Sequence, residues 1–326
     1  MLQIKNVTDS FYDVDNLPAS LVNELKDIRS YETKAGISIG YLLLNEDLLE
    51  DKTKPAIVAF GASLSDITMP DRAWEGVQLA FLEMPVLLLD IQGHGISSKH
   101  NKQQIIDLVL KRRITSHVLP LAETKNALLG DRPLHYLGSS HGAHIAIKLI
   151  EIEESKNVIS ALLIDLPAVK NRLTVALQAG LFYDNTIGRI RYLRALKHTT
   201  AYAQYNAFKK IHKSWRVPAA KSFVRNDTLL FILNLFSSVN STSHALTSWN
   251  NINMSNKKTV VTAYTAEKGH ISDWSSINNM LLETKATENG LGFQHIVKTE
   301  DHNISLHILM PRVVGWLRNN IDTTTS

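Results

Sequence analysis

The chain has 326 residues, of which 44% are hydrophobic and 20% charged, and its formal net charge at pH 7 is +4. This composition is typical of a globular protein and excludes a disordered one. The sequence contains no cysteine, which excludes disulfides and cysteine-based metal sites.

Short apolar runs ending in glycine-containing turns alternate along the chain with segments of helical periodicity. The runs predicted as strands are, in chain order, GISIGYLLLN, KPAIVAFGAS, MPVLLLDIQGHG, LHYLGSSHG, VISALLIDLP, KKTVVTAYTA and GFQHIVKTED. Several are unbroken, which is typical of central strands buried on both faces. Helices are predicted for DRAWEGVQLAFLEM, IIDLVLKRRITSHVLPLAETKNALL and HIAIKLIEIEES. The alternation predicts an α/β fold with a doubly wound, mostly parallel sheet.

Residues 168–256 interrupt this alternation, because they show little strand signal and repeated helical spacing. Apolar residues recur at helical intervals, as at Phe208, Ile211 and Trp215. We therefore predict two units. Residues 1–167 and 257–326 form the core, and residues 168–256 form a helical cap inserted between two strands.

Two adjacent serines, Ser139 and Ser140, follow one of the predicted strands. Only Ser140 fits the spacing G-x-S-x-G, because Gly138 lies two residues before it and Gly142 two residues after it. On a sharp turn from a strand into a helix, the residues two positions from the serine are crowded and must lack a Cβ atom. The helix N-terminus also favours negative charge beside the hydroxyl. Ser140 is therefore the candidate nucleophile.

Two further turns accompany this motif. The first is where a predicted strand ends in Phe60-Gly61-Ala62. The second begins at Asp90 after the next predicted strand and has the pattern D-x-x-G-x-G-x-S. In this order, the three turns resemble those of the α/β-hydrolase superfamily, over roughly residues 36–167 and 257–318.

The resemblance implies a mechanism and a set of roles. It implies an oxyanion hole formed by the backbone amides of His141 and Ala62, and an acyl-enzyme intermediate on Ser140. It requires neither a metal ion nor an organic cofactor. It also implies a catalytic histidine after the last strand, where the sequence has His302 and His307.

His302 is the predicted general base, because it follows the last strand in the turn, whereas His307 falls inside the next helix. The remaining histidines, among them His94, His141 and His270, are interpreted as structural or solvent-facing.

The triad acid is where the chain departs from the family pattern. After the cap the family has a sequence like T-G-E-K-D, but this chain has TAEKG, with Gly269 in place of the aspartate. Asp165 is the first candidate, because it ends a strand at a position that some family members use. It also fits an ordinary strand-end residue. Asp273 and Glu267 are the second and third candidates.

These residues predict a serine hydrolase that cleaves a carboxylic ester or thioester. One alternative is an acyltransferase, since the sequence does not separate water from another acyl acceptor. The other is a non-catalytic α/β-hydrolase-like binding protein. Gly269 favours that alternative, and the retained serine turn, histidine and oxyanion glycine disfavour it.

The charge of the chain is unevenly distributed. Residues 168–256 contain twelve lysines and arginines and two aspartates, whereas the rest of the chain has 23 basic and 29 acidic residues. A basic cap over a catalytic pocket predicts an anionic acyl donor, such as an acidic acyl-carrier protein, a coenzyme A thioester or an anionic membrane. Lys209, Lys210 and Lys213 are predicted to attract it. A nucleic-acid surface is less favoured, and a solvated face without a partner is the plain alternative.

The first residues show no basic stretch followed by an apolar one, so we expect no signal peptide. No window approaches the length of apolar sequence needed to cross a bilayer. We therefore expect a soluble, cytoplasmic protein.

Overall fold

The computed structural model describes most of the predicted core and a small part of the predicted cap. The described residues are 14–62, 65–109, 114–153, 157–166, 200–215, 259–266 and 292–297, with 190, 194, 197, 310, 313–315, 317 and 318.

Within the described residues, eight strands form one sheet in the order β1-β2-β4-β3-β5-β6-β7-β8. They are β1 (Arg29–Glu32), β2 (Ser38–Leu44), β3 (Ala56–Phe60), β4 (Val86–Leu89), β5 (Leu134–Ser139), β6 (Val158–Ile164), β7 (Val260–Ala266) and β8 (Gly292–Val297). β2 pairs antiparallel with both β1 and β4, and every other pair is parallel. The predicted doubly wound, mostly parallel sheet is confirmed.

Six described helices accompany the sheet. They are α1 (Ala19–Lys26), α2 (Pro70–Ala80), α3 (Lys102–Val109), α4 (Thr115–Leu129), α5 (His141–Ile152) and α6 (Thr200–Ser214). Short 3-10 turns occur at Val14–Asn16 and Glu46–Glu50. The stretch predicted as one helix from residue 105 to 129 is divided between α3 and α4. None of the described helices is long and apolar enough to cross a membrane.

The core lies on both faces of the sheet, which explains the unbroken apolar strands. Successive side chains of β3 alternate between the faces: Val58 and Phe60 join the cluster formed with α4 and α5. Ile57 and Ala59 join the cluster formed with α1, α2, α6 and four C-terminal residues, Met310, Val313, Val314 and Leu317. A strand covered on both faces needs apolar side chains at every position, so it has no polar alternation.

α6 belongs to the range predicted as a cap, and it packs against α2. Phe208 is fully buried, with its ring centroid 5.1 Å from that of Trp74. The hydroxyl of Tyr205 donates to Asp71. This helix therefore contributes to the layer that covers one face of the sheet. Most of residues 168–256 lie outside the described residues, and the cap stays a prediction.

Candidate active site

Ser140 lies at the junction between β5 and α5, on a sharp turn. Its backbone angles are φ 51° and ψ −114°, a conformation that L-residues rarely adopt. Its N–H donates to Ile164 O at 2.8 Å, which ties the turn to the end of β6. Ser139 is still part of β5, where it pairs with Ile164 and is buried. Ser140 is the more exposed of the two serines.

The two glycines of the motif are required by contacts with backbone. A Cβ atom on Gly138 would lie 2.4 Å from Gly142 O, and one on Gly142 would lie 2.2 Å from Phe60 O. Non-bonded carbon and oxygen atoms do not approach so closely, and backbone cannot move aside as a side-chain end can. The glycine spacing inferred from the sequence therefore has the predicted steric cause.

The loop after β3 lies directly against this turn. β3 pairs with β5 up to Phe60 and Gly138, and Gly61 O would lie 2.7 Å from a Cβ atom on Gly142. The two segments that contain the predicted oxyanion donors, Ala62 and His141, therefore meet at the carboxyl edge of the sheet. Their role as donors stays a prediction.

Asp165 follows the last residue of β6 at the same edge. Its N–H donates to Tyr264 O at 2.6 Å, and its φ is 49°. The side chain is buried, with 2% of the residue exposed. The preceding residue, Ile164, pairs with Ser139 and accepts from the Ser140 N–H, so Asp165 and Ser140 leave neighbouring strands side by side. This placement is compatible with the predicted acid.

The other predicted catalytic residues lie outside the described residues: His302, its alternative His307, and the alternative acids Asp273 and Glu267. Their roles stay predictions. β7 and β8 run parallel to β5 and β6, so both end at the edge where Ser140 and Asp165 lie.

A group of buried histidines beside the serine turn was missed as a group by sequence reasoning. They are His94, His100, His117, His141 and His144. Nε2 of His100 lies 3.1 Å from Nδ1 of His117, and the rings of His141 and His144 meet edge to face. The interpretation of His94 and His141 as structural is compatible with this burial, whereas His270 lies outside the described residues.

Three of these histidines, His100, His117 and His141, are held in the neutral form at neutral pH. Burial, with a smaller effect of the neighbouring histidines, lowers the pKa of His141 to about 3. Burial likewise lowers the pKa of His100 to about 4 and that of His117 well below its usual value. No group of three metal-ligating side chains suited to a metal ion occurs within the described part of the chain. His141 and His144 were the available signal, because residues three apart on a helix share one face.

The turn after β4 has a structural role. Ser97 Oγ accepts from Gly40 N–H at 2.8 Å, and Asp90 Oδ1 accepts from Ile67 N–H at 2.8 Å. The turn therefore holds β2 and the loop before α2. Burial first, and the nearby Asp66 second, raise the pKa of Asp90 to about 8. Asp90 is thus mostly protonated at neutral pH.

The lysines predicted to attract an anionic donor are exposed. Lys209, Lys210 and Lys213 lie on α6, and no described carboxylate pairs with them. The end of this helix approaches α1: Lys26 Nζ lies 5.6 Å from the centre of the Trp215 ring. α1 in turn contacts Asn45 at the end of β2, through Glu24. This end of α6 therefore lies toward the amino edge of the sheet, opposite Ser140.

Solved structures share this architecture. The thioesterase domain from the curacin biosynthetic pathway superposes with a TM-score of 0.55 at 15% identity, covering 89% of this chain and 98% of that one. A serine hydrolase from Cycloclasticus zankles gives 0.55 at 13% identity, covering 90% and 99%. An α/β hydrolase from Novosphingobium aromaticivorans gives 0.54 at 10%, covering 90% and 98%.

The chain has the α/β-hydrolase fold. No family model matches the sequence, and no curated protein matches it either. The likeness therefore concerns the α/β-hydrolase architecture, and function has to be argued from the residues at the carboxyl edge.

Proposed function

We propose that this protein is a serine hydrolase that cleaves a carboxylic ester or thioester. The observation that supports this most is the serine turn: Ser140 has φ 51°, and both flanking glycines are required by backbone contacts. A strained backbone persists only where its surroundings impose it, and such strain is concentrated at functional sites. The neighbours named as hydrolases and a thioesterase are compatible with this chemistry.

The reaction follows from the roles assigned to each residue. Ser140 Oγ forms a bond to the carbonyl carbon while its proton moves to His302. The resulting oxyanion accepts hydrogen bonds from the backbone amides of Ala62 and His141. The bond to the alcohol or thiol then breaks, and His302 gives its proton to that leaving group. Water, activated by the same histidine, hydrolyses the acyl-enzyme.

A fluorophosphonate probe tests the nucleophile. We expect the wild-type protein to be labelled and Ser140→Ala to lose all labelling. Ser139→Ala is the matched control, because it removes the adjacent hydroxyl from a buried strand position and should leave labelling intact. Equal labelling of the Ser140→Ala protein would exclude this serine as the nucleophile.

The acid is tested by comparing three isosteric changes. Asp165→Asn should lower kcat by a factor on the order of 10⁴, because the wrong tautomer of the base is then favoured. Asp273→Asn and Glu267→Gln should leave kcat near the wild-type value. The opposite pattern would assign the acid to the segment after β7.

The proposal extends to an anionic acyl donor, supported by the excess of basic residues in 168–256. Because Lys209, Lys210 and Lys213 are exposed at the far end of α6, they would act by long-range attraction. Reversing all three to Glu should lower kcat/KM for a coenzyme A thioester at low salt and leave a small neutral ester unchanged. An equal response of both substrates would remove any recognition role from these lysines.

A further inference from the structure

The loop after β3 lies between the serine turn and a buried arginine. On one side, a Cβ atom on Gly142 would lie 2.2 Å from Phe60 O and 2.7 Å from Gly61 O. On the other side, a Cβ atom on Gly61 would lie 3.1 Å from Arg72 Nε and 3.4 Å from its Cζ. Gly61 is therefore in close contact with both the turn and the guanidinium.

Arg72 is itself held in one orientation. It lies in the first turn of α2 and is 2% exposed. One terminal nitrogen, Nη2, donates to Ala59 O at 3.0 Å, and the other pairs with the buried carboxylate of Glu75. A guanidinium has a planar, rigid set of donors, so two such bonds fix both its position and its plane.

The loop is tied again beyond Gly61. Ser65 donates to Ala62 O from its backbone N–H at 3.1 Å and from its hydroxyl at 2.7 Å. The Ala62 amide, the predicted oxyanion donor, therefore lies in a segment with defined contacts before and after it. Such a donor is effective because it is already oriented when the negative charge develops.

We propose that Arg72 is a positioning residue for the oxyanion hole. Its guanidinium holds the Gly61–Ala62 peptide against the serine turn. Its positive charge also favours the negative charge that develops on the substrate oxygen when that oxygen accepts from the Ala62 N–H. The inference rests on the proposed function, because it requires attack by Ser140 on a carbonyl group. A purely structural arginine would affect the fraction of folded protein and leave the turnover of each folded molecule unchanged.

Two variants and a control separate these roles. Arg72→Lys keeps a positive charge and loses the planar fork. Arg72→Met combined with Glu75→Gln removes both members of the ion pair. Arg132→Lys is the matched control, because Arg132 is also buried and donates to backbone carbonyls, those of Leu129 and Leu49. It lies just before β5, at the opposite edge of the sheet from Ser140.

Turnover is measured per active site, after titration of Ser140 with the fluorophosphonate probe, on a p-nitrophenyl ester. For both Arg72 variants we expect kcat to fall at least about tenfold, with KM within about twofold. Affinity for a trifluoromethyl ketone, whose tetrahedral adduct with the serine bears an oxyanion, should fall by a similar factor. Arg132→Lys should leave both values unchanged.

Each outcome has a separate meaning. If wild-type Ser140 is not labelled, the proposed function fails and the inference about Arg72 fails with it. If Ser140 is labelled and folded Arg72 variants keep wild-type kcat and inhibitor affinity, only the inference about Arg72 is overturned. Glu75→Asp is the substitute variant if the Arg72 variants do not fold, because the shorter carboxylate keeps the charge balance and only weakens the hold on the guanidinium. A smaller fall in both values is then expected, and no change would overturn the inference.

Discussion

His135 should make the folded protein less stable in mild acid. It lies in β5, fully buried, with Nδ1 2.7 Å from Ser160 Oγ. Burial lowers the pKa of His135 from its usual 6.5 to about 4. Below pH 6.5 the unfolded chain therefore binds a proton at this residue, and the folded chain does not until about pH 4. The stability associated with the neutral ring is complete above pH 6.5 and is lost as the pH falls through this window.

The size of the effect follows from the two pKa values. One pH unit inside the window corresponds to about 1.36 kcal/mol for one proton. Between pH 8 and pH 5, the free energy of unfolding should therefore fall by about 2 kcal/mol because of His135. The measurement is urea unfolding of the wild type and His135→Asn at several pH values. Asparagine keeps a polar group near Ser160 but does not titrate.

The difference between the two proteins isolates this one group, because the other buried histidines are present in both. The free energy of unfolding of the wild type should decrease relative to that of His135→Asn by about 2 kcal/mol over this range. The cavity left by the smaller side chain lowers the free energy of unfolding of His135→Asn by the same amount at every pH. Curves that stay parallel from pH 8 to pH 5 would refute the reasoning.

Four further substitutions test other parts of the structure by urea unfolding. Gly142→Ala should lower the free energy of unfolding by at least about 3 kcal/mol, because its Cβ would collide with Phe60 O. Gly36→Ala is the control. It has open space around it and should lower the free energy of unfolding by about 1 kcal/mol, because its φ is positive. Phe208→Ala should cost about 3 kcal/mol if α6 packs on α2 as described. Asp90 has a folded pKa raised to about 8, so its effect is a loss of stability as pH rises from about 4 to about 8. Asp90→Asn should remove that slope.

The central strands and the serine turn could be predicted because their causes are local. β3 and β4 are continuous apolar runs, and the spacing of Gly138 and Gly142 follows from one steric requirement. β1 was missed for the opposite reason. Its four residues, RSYE, alternate between partly buried and exposed, so no apolar run marks the strand. Pairing with β2 defines it, and pairing partners are not visible in a single short segment.

The environment of the turn could not be predicted, because it depends on burial by distant segments. Arg72, Glu75 and Gln78 are all buried, although they are polar and recur every third residue on α2. Such a pattern is typical of a solvent-facing stripe. Here Arg72 instead donates to Ala59 O of β3 and pairs with Glu75. The buried histidines around the turn come from three separate segments, namely the connection between β4 and α3, α4 and α5, so the sequence offered at most the pair on α5.

Several buried titratable groups around the turn are neutral at pH 7, which matters for a developing oxyanion. His100, His117 and His141 are neutral, because burial lowers the pKa of each. Asp90 is mostly protonated for the same physical reason.

Arg72 is therefore the described buried cation that contacts the loop after β3, and Glu75 partly balances its charge. In an environment of low polarizability a fixed charge or dipole acts at longer range than in water. The neutral imidazoles carry no net charge, so the charged groups described at the Gly61–Ala62 peptide include Arg72 with its partner Glu75, and the N-terminus of α5 adds its dipole at the serine turn. In the proposed mechanism, a site arranged in this way favours negative charge on the substrate oxygen before the reaction begins.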